Sequence, residues 1–179
     1  MLVVGTTPDY IQWIRAHRPG EALFLTDPRL REEAREPRPD PWEECLAPPE
    51  DPLRAMEALR DHLERTGLRP SGVVCYDCPS LDGAAFLARR LGLPFPSPGS
   101  VRLCRDKGRS KGLWRRRGIP CPRALPLPSP EALEAFLRRP GPWVLKPLRG
   151  TGSERVFLCG SPEEARDAWE RIRKGRPRE

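Results

Sequence analysis

Short apolar runs alternate with amphipathic stretches through the first hundred residues, and that spacing constrains the fold more than any other feature of the chain. Leu2-Val3-Val4-Gly5 reads as a buried strand, and Ala22-Leu23-Phe24-Leu25 and Val73-Val74-Cys75-Tyr76 read as a second and a third strand. Between them, Tyr10, Ile11, Trp13 and Ile14 cluster at helical spacing, and Pro19-Gly20 ends that helix. A longer helix begins at Asp51 as N-cap with Pro52 at N1, carries Leu53, Met56, Leu59 and Leu63 on one face, and stops at Gly67. Another is expected from Ser80 as N-cap, through Ala84, Ala85, Leu87, Ala88 and Leu91, to Gly92. The segment from Arg35 to Pro52, rich in proline and charge, reads as an extended surface loop. Strand–helix alternation at this pitch implies an α/β fold with a parallel sheet flanked by helices.

Two nucleotide fingerprints are missing. The first strand runs into Gly5-Thr6-Thr7-Pro8, not G-x-G-x-x-G, and no G-x-x-x-x-G-K-[ST] occurs. A dinucleotide oxidoreductase and a P-loop NTPase are both disfavoured. No apolar run reaches the ~18 residues of a membrane span, and Met1 to Gly5 lacks the basic and long apolar regions of a signal peptide. A cytoplasmic location without membrane attachment is the expectation. Six cysteines then read as free thiols. Cys75-Tyr-Asp-Cys78 lacks both the helix N-terminus of a redox pair and the further ligands of a zinc site.

Charge separates the two halves. Residues 1–100 carry a formal −4 and residues 101–179 a formal +11. A half so basic is expected to meet an anion. Its elements differ in kind from those of the first half. Asp106-Lys107 opens a helix through Lys111 and Leu113-Trp114 that ends at Gly118-Ile119-Pro120. Ser129-Pro130-Glu131 opens another, with Leu133, Phe136 and Leu137 on its apolar side. A strand, Pro142 to Pro147, contains Lys146; Val156-Phe157-Leu158-Cys159 returns; Ser161-Pro162-Glu163-Glu164 is a capping box for a last helix.

The loop between those strands, Arg149-Gly150-Thr151-Gly152-Ser153-Glu154-Arg155, is built to let a backbone approach phosphates: glycines open the conformation and successive N–H groups form an anion nest. Arg outnumbers Lys 28 to 4 in this chain. Lys107 and Lys146 are therefore not default cations, and their compact ammonium heads suit phosphate oxygens where a planar fork does not.

The spaced set of Asp106-Lys107, Gly118-Ile119-Pro120, Trp143-Val144-Leu145-Lys146-Pro147 and Gly150 to Ser153 resembles the ATP-grasp superfamily, which includes carboxylate–amine ligases, the large subunit of carbamoyl phosphate synthase and biotin carboxylase. By that resemblance residues 1–99 are the Rossmann-like pre-ATP-grasp domain, with Gly83-Ala84-Ala85 through Leu91-Gly92-Leu93-Pro94 among the matching positions. Residues 100–179 are the first, α+β, ATP-grasp subdomain. The resemblance implies that Lys107 and Lys146 contact the α- and β-phosphates of ATP and that Gly150, Thr151, Gly152 and Ser153 close over them. It implies formation of an acyl phosphate from a carboxylate, then its displacement by an amine or other nucleophile. It assigns no catalytic side chain and no metal ligand in this chain. The second subdomain, with the adenine hinge and the Mg2+ ligands, is expected beyond Arg173-Lys174-Gly175-Arg176-Pro177-Arg178-Glu179, in cis or on a separate chain. Alone, the chain is expected to bind ATP weakly and to catalyse nothing.

Two other readings stand beside this one. A nucleic-acid-binding module could use Arg115-Arg116-Arg117 and Arg138-Arg139, but the arginines are scattered and no recognised motif accompanies them. A non-catalytic scaffold or regulator is the other, and retention of both lysines and the loop argues against it.

Overall fold

The computed structural model describes residues 1–175; Arg176 to Glu179, the end of the expected second region, lie outside the described residues. The chain divides into two compact units, Met1–Arg102 and Leu103–Glu179.

In the first unit, β1 (Leu2–Val4), β2 (Leu23–Thr26), β3 (Glu44–Leu46) and β4 (Val73–Cys75) form one parallel sheet in the order β3-β2-β1-β4. Leu2 pairs with Leu23 on one side and Val73 on the other, and Phe24 pairs with Glu44. Side chains alternate between faces. Leu2, Val4, Leu23, Leu25 and Cys45 pack with α3 (Pro52–Thr66) and α4 (Leu81–Leu91), while Val3 and Phe24 meet Ile11 and Ile14 of α1 (Pro8–His17). Both faces are covered, so the strands read as unbroken apolar runs. The parallel α/β reading is borne out.

Three elements were not expected. β3 and the short α2 (Pro28–Glu33) were hidden in charged, proline-rich sequence, and α5 (Pro98–Arg105) begins on a proline after a Pro-Ser-Pro run. Asp27 caps α2 by accepting from Arg29 N–H at 2.8 Å. β3 needs little apolar content of its own. It is an edge strand of three residues whose Glu44 is held by the buried Arg31 at 2.5 Å.

Asp51 caps α3 and Gly67 ends it in the left-handed region at φ 70°, both as the sequence implied. Leu53, expected on its apolar face, is exposed instead. Ser80 also departs from expectation. It has helical φ and ψ and makes no capping bond, while its N–H donates to Asp77 Oδ1 at 2.7 Å.

The second unit comprises α6 (Lys107–Arg116), α7 (Pro130–Leu137), the antiparallel pair β5 (Trp143–Leu145) and β6 (Phe157–Cys159), and α8 (Pro162–Lys174). Trp143 pairs with Cys159 and Leu145 with Phe157. The inward residues Trp143, Leu145 and Cys159 pack with Leu133 and Leu137 of α7 and Ala165, Ala168 and Trp169 of α8. Their outward neighbours Val144 and Leu158, paired across the strands, are 53% and 74% exposed. The capping box of α8 is displaced by one residue. Ser161 Oγ accepts from Glu164 N–H, but the Glu164 carboxylate accepts from Gly160 N–H at 2.7 Å instead of from Ser161.

Candidate phosphate-binding site

Asp106 starts the site. Its carboxylate accepts from the N–H groups of Gly108 at 3.0 Å and Arg109 at 2.9 Å, which caps α6 and fixes Lys107 as the first helical residue. The Lys107 N–H, one of the donors a helix start leaves over, is given to Leu148 O at 3.0 Å. The approach at Gly108 is close, since a Cβ there would stand 3.2 Å from Leu148 Cδ2 and 3.3 Å from the capping oxygen of Asp106. Ser110 Oγ, buried, donates to Leu103 O at 2.7 Å and anchors the same helix to the chain that precedes it.

Leu148 lies two residues beyond Lys146, which follows β5 directly and is exposed. The sequence reading put Lys146 inside the strand; it stands one residue past it. The structure thus brings the backbone of one predicted lysine onto the segment that carries the other. Lys107 is half-buried. Lys111, the other lysine of α6, lies 5.6 Å from the Trp114 ring centroid.

The predicted loop spans the gap from Lys146 to β6. Gly152 and Ser153 both have positive φ, 59° and 56°, and Glu154 N–H donates to Thr151 O at 3.1 Å. That is the φ pattern of a type I′ turn. Gly150 has φ 151° and Arg155 φ 56°. Ser153 and Arg155 thus occupy a region that non-glycine residues rarely enter. Arg155 earns its conformation through its guanidinium, which donates to Gly175 O at 2.5 Å and Ile172 O at 3.3 Å at the C-terminus of α8. Gly150, Gly152 and Ser153 are exposed and Thr151 is half-buried.

The carboxyl edge of the first unit's sheet is also polar. Sequence order reverses between β1 and β4, where α/β sheets open a crevice. Gly5 leaves β1 at φ 66° and packs against Asp77 and Ser80. Tyr10 and Tyr76 stack with centroids 6.3 Å apart. Among the described residues, the buried Thr6 and Thr26 hydroxyls have no hydrogen-bond partner. Nothing in the sequence pattern singled out these threonines. Cys75 Sγ donates to Asp77 O at 3.2 Å, and among the described residues no two cysteines are joined by a disulfide.

No protein-family model and no curated protein matches this sequence. Solved structures do. An L-amino acid ligase from Bacillus licheniformis is 20% identical with a TM-score of 0.69, over 97% of this chain and 41% of its own. N5-carboxyaminoimidazole ribonucleotide synthetase from Thermus thermophilus is 23% identical with a TM-score of 0.61, over 96% of this chain and 44% of its own. The biotin carboxylase domain of Hydrogenobacter thermophilus 2-oxoglutarate carboxylase, solved with MgADP, is 18% identical with a TM-score of 0.64. The fold is that of the N-terminal part of ATP-grasp enzymes, and the chain spans 40% to 44% of the length of these three.

Proposed function

We propose that this chain is the ATP-binding N-terminal portion of an ATP-grasp ligase. The observation that supports this most is the bond from Lys107 N–H to Leu148 O, within an ATP-grasp fold, which joins the start of α6 to the segment carrying Lys146. Lys107 and Lys146 bind the α- and β-phosphates. Gly150, Thr151, Gly152 and Ser153 cover the phosphate chain with backbone N–H groups.

The chemistry follows from the class. A carboxylate oxygen attacks the γ-phosphorus, the bond to the β-phosphate oxygen breaks, and ADP leaves. An amine or other nucleophile then attacks the acyl carbon and inorganic phosphate departs. Both steps move negative charge onto phosphate oxygens, so fixed cations are what this part of the protein supplies. Magnesium neutralises part of that charge when bound. Among the described residues no group of three His, Cys, Asp or Glu side chains is placed to hold a metal ion. No helix of the described residues is long and apolar enough to cross a membrane; we place the protein in the cytoplasm.

Calorimetric titration with Mg-ATP tests the reading. Lys146→Ala and Lys107→Ala are each expected to weaken binding at least tenfold, the exposed Lys146→Ala at unchanged melting temperature, and the chain alone is expected to release no ADP. Binding that survives both substitutions would sink the assignment. ADP release by the chain alone would refute the claim that it is incomplete.

A further inference from the structure

A second anion site, in the first unit, goes beyond that reading. A cleft of about 480 Å³ runs along β3, the edge strand, and its volume is within the range of small-molecule sites. It is lined by residues of β3, by Ala58, Asp61, His62 and Arg65 of α3, and by Arg38, Pro39 and Pro41 of the segment before β3.

The segment before β3 is a strap held at several points. Gln12 Nε2 donates to Pro37 O at 2.6 Å. Arg15 reaches Glu43 at 2.7 Å and Asp40 at 3.4 Å. Trp42 O accepts from His62 Nε2 at 2.9 Å. Arg38 sits between two prolines in this pinned segment, so its backbone is confined to extended conformations. The second cation of the cleft, Arg65, is oriented as well. Because Trp42 O can only accept, His62 Nε2 carries the proton, and Nδ1 accepts from Arg65 at 3.2 Å.

The charges of the cleft are unequally matched. Glu44 is paired with Arg31 at 2.5 Å and Asp61 lies 3.5 Å from Arg60; neither of those arginines lines the cleft. Among the described residues, Arg38 and Arg65 have no ion-pair partner, and Arg65 spends one N–H on a neutral imidazole. Two exposed guanidinium forks thus line one open cleft with their remaining donors unused among the described residues. Planar forks match carboxylate and phosphate oxygens bidentately. Pro39 and Pro41 carry no N–H for a visiting β-strand, so the cleft suits a compact ligand over an added strand. We propose that the cleft beside β3 binds a small oxyanion, a carboxylate or phosphate group held between Arg38 and Arg65 with its body against Pro39, Pro41 and Leu46.

Amide chemical shifts of the whole chain, titrated separately with inorganic phosphate and with succinate, test this. At least one probe is expected to give saturable shifts at Cys45, Leu46, Ala58 and His62, and which one does so separates a phosphate from a carboxylate ligand. Arg38→Gln removes a side chain with no partner to lose, so its melting temperature is expected to stay unchanged while affinity falls at least tenfold. Lys146→Ala is expected to leave these shifts intact, which separates this site from the nucleotide site. Absence of saturation with both probes, or wild-type affinity in Arg38→Gln, would overturn the proposal.

Discussion

Lys107 donates its backbone N–H to the carbonyl of Leu148 at 3.0 Å, and through this bond the start of α6 is tied to the strand end bearing Lys146. The capping carboxylate of Asp106 holds the donor in place. Asp106→Ala is therefore expected to cost about 1 kcal/mol, the usual loss for an N-cap. It should also weaken Mg-ATP binding although no lysine is changed. Thermal unfolding and calorimetry together check this. A lower melting temperature with wild-type affinity would mean that the cap serves the helix and not the site.

Arg155 is held at φ 56° by two carbonyls at the end of α8. Arg155→Ala removes the anchor and keeps a side chain in the left-handed region, which costs about 1–2 kcal/mol. Arg155→Gly removes the anchor and relieves the backbone. The expected order of melting temperature is wild type, then Arg155→Gly, then Arg155→Ala. If glycine proves the worse replacement, backbone conformation is not what the arginine overcomes.

The sequence exposed most of the fold because burial on both faces turns parallel strands into readable apolar runs, as in Leu2-Val3-Val4 and Leu23-Phe24-Leu25. β3 escaped because an edge strand of three residues is stabilised by Arg31 meeting Glu44, not by an apolar pattern. Ser80 was misread because a serine before a helix looks the same whether it caps or is itself capped, and Asp77 decides which by distance in space. Lys107, Lys146 and the Gly150–Ser153 loop were legible as a spaced motif, yet the bond from Lys107 to Leu148 was not, since it joins backbone atoms whose meeting no residue type records. The cleft beside β3 was equally silent: Arg38 and Arg65 are ordinary surface arginines until the strap and α3 set them around one space.

Gly5 and Gly83 mark close approaches within the first unit. A Cβ on Gly5 would run into Ser80 and Asp77 at φ 66°, and one on Gly83 would run into the carbonyl oxygen of Pro49. Backbone cannot move aside as a side-chain tip can. Gly83→Ala is expected to destabilise by about 1–3 kcal/mol, the range for overpacking. Gly5→Ala should do so by at least as much, because strain at positive φ adds to the clash. Gly67 also has positive φ, 70°, but a Cβ there would meet nothing within 4 Å. Gly67→Ala should therefore cost only the backbone term. Chemical denaturation of the three variants ranks them, and an equal loss at Gly67 and Gly5 would show that contact contributes nothing.

Burial pushes the Cys45 thiol up to about 11, against a smaller opposing pull from Arg65, and burial also raises that of Cys159. The thiolate is the reacting species. In native protein at pH 8, iodoacetamide should modify the exposed Cys78 and Cys104 first and Cys45 and Cys159 last. Raising the pH toward 11 should accelerate Cys45. Peptide mapping by mass spectrometry reads the order. Early modification of Cys45 at pH 8 would contradict its burial.

Glu134 of α7 and Arg166 of α8 meet fork to fork, with bonds of 2.7 and 2.9 Å. The guanidinium holds the Glu134 carboxyl below its ordinary value of 4.5. A carboxylate whose pKa is lowered on folding stabilises the folded state fully above the unfolded value and ceases to do so as pH falls through the folded one. Glu134→Gln should therefore lower the melting temperature of the second unit at pH 7, and the gap from wild type should close below about pH 4. The pair is half exposed, so salt screens it and the gap at pH 7 should also shrink at 1 M salt. A gap that does not narrow as the pH falls would mean that glutamine disturbs the packing of α7 on α8, and that charge is not what the arginine recognises there.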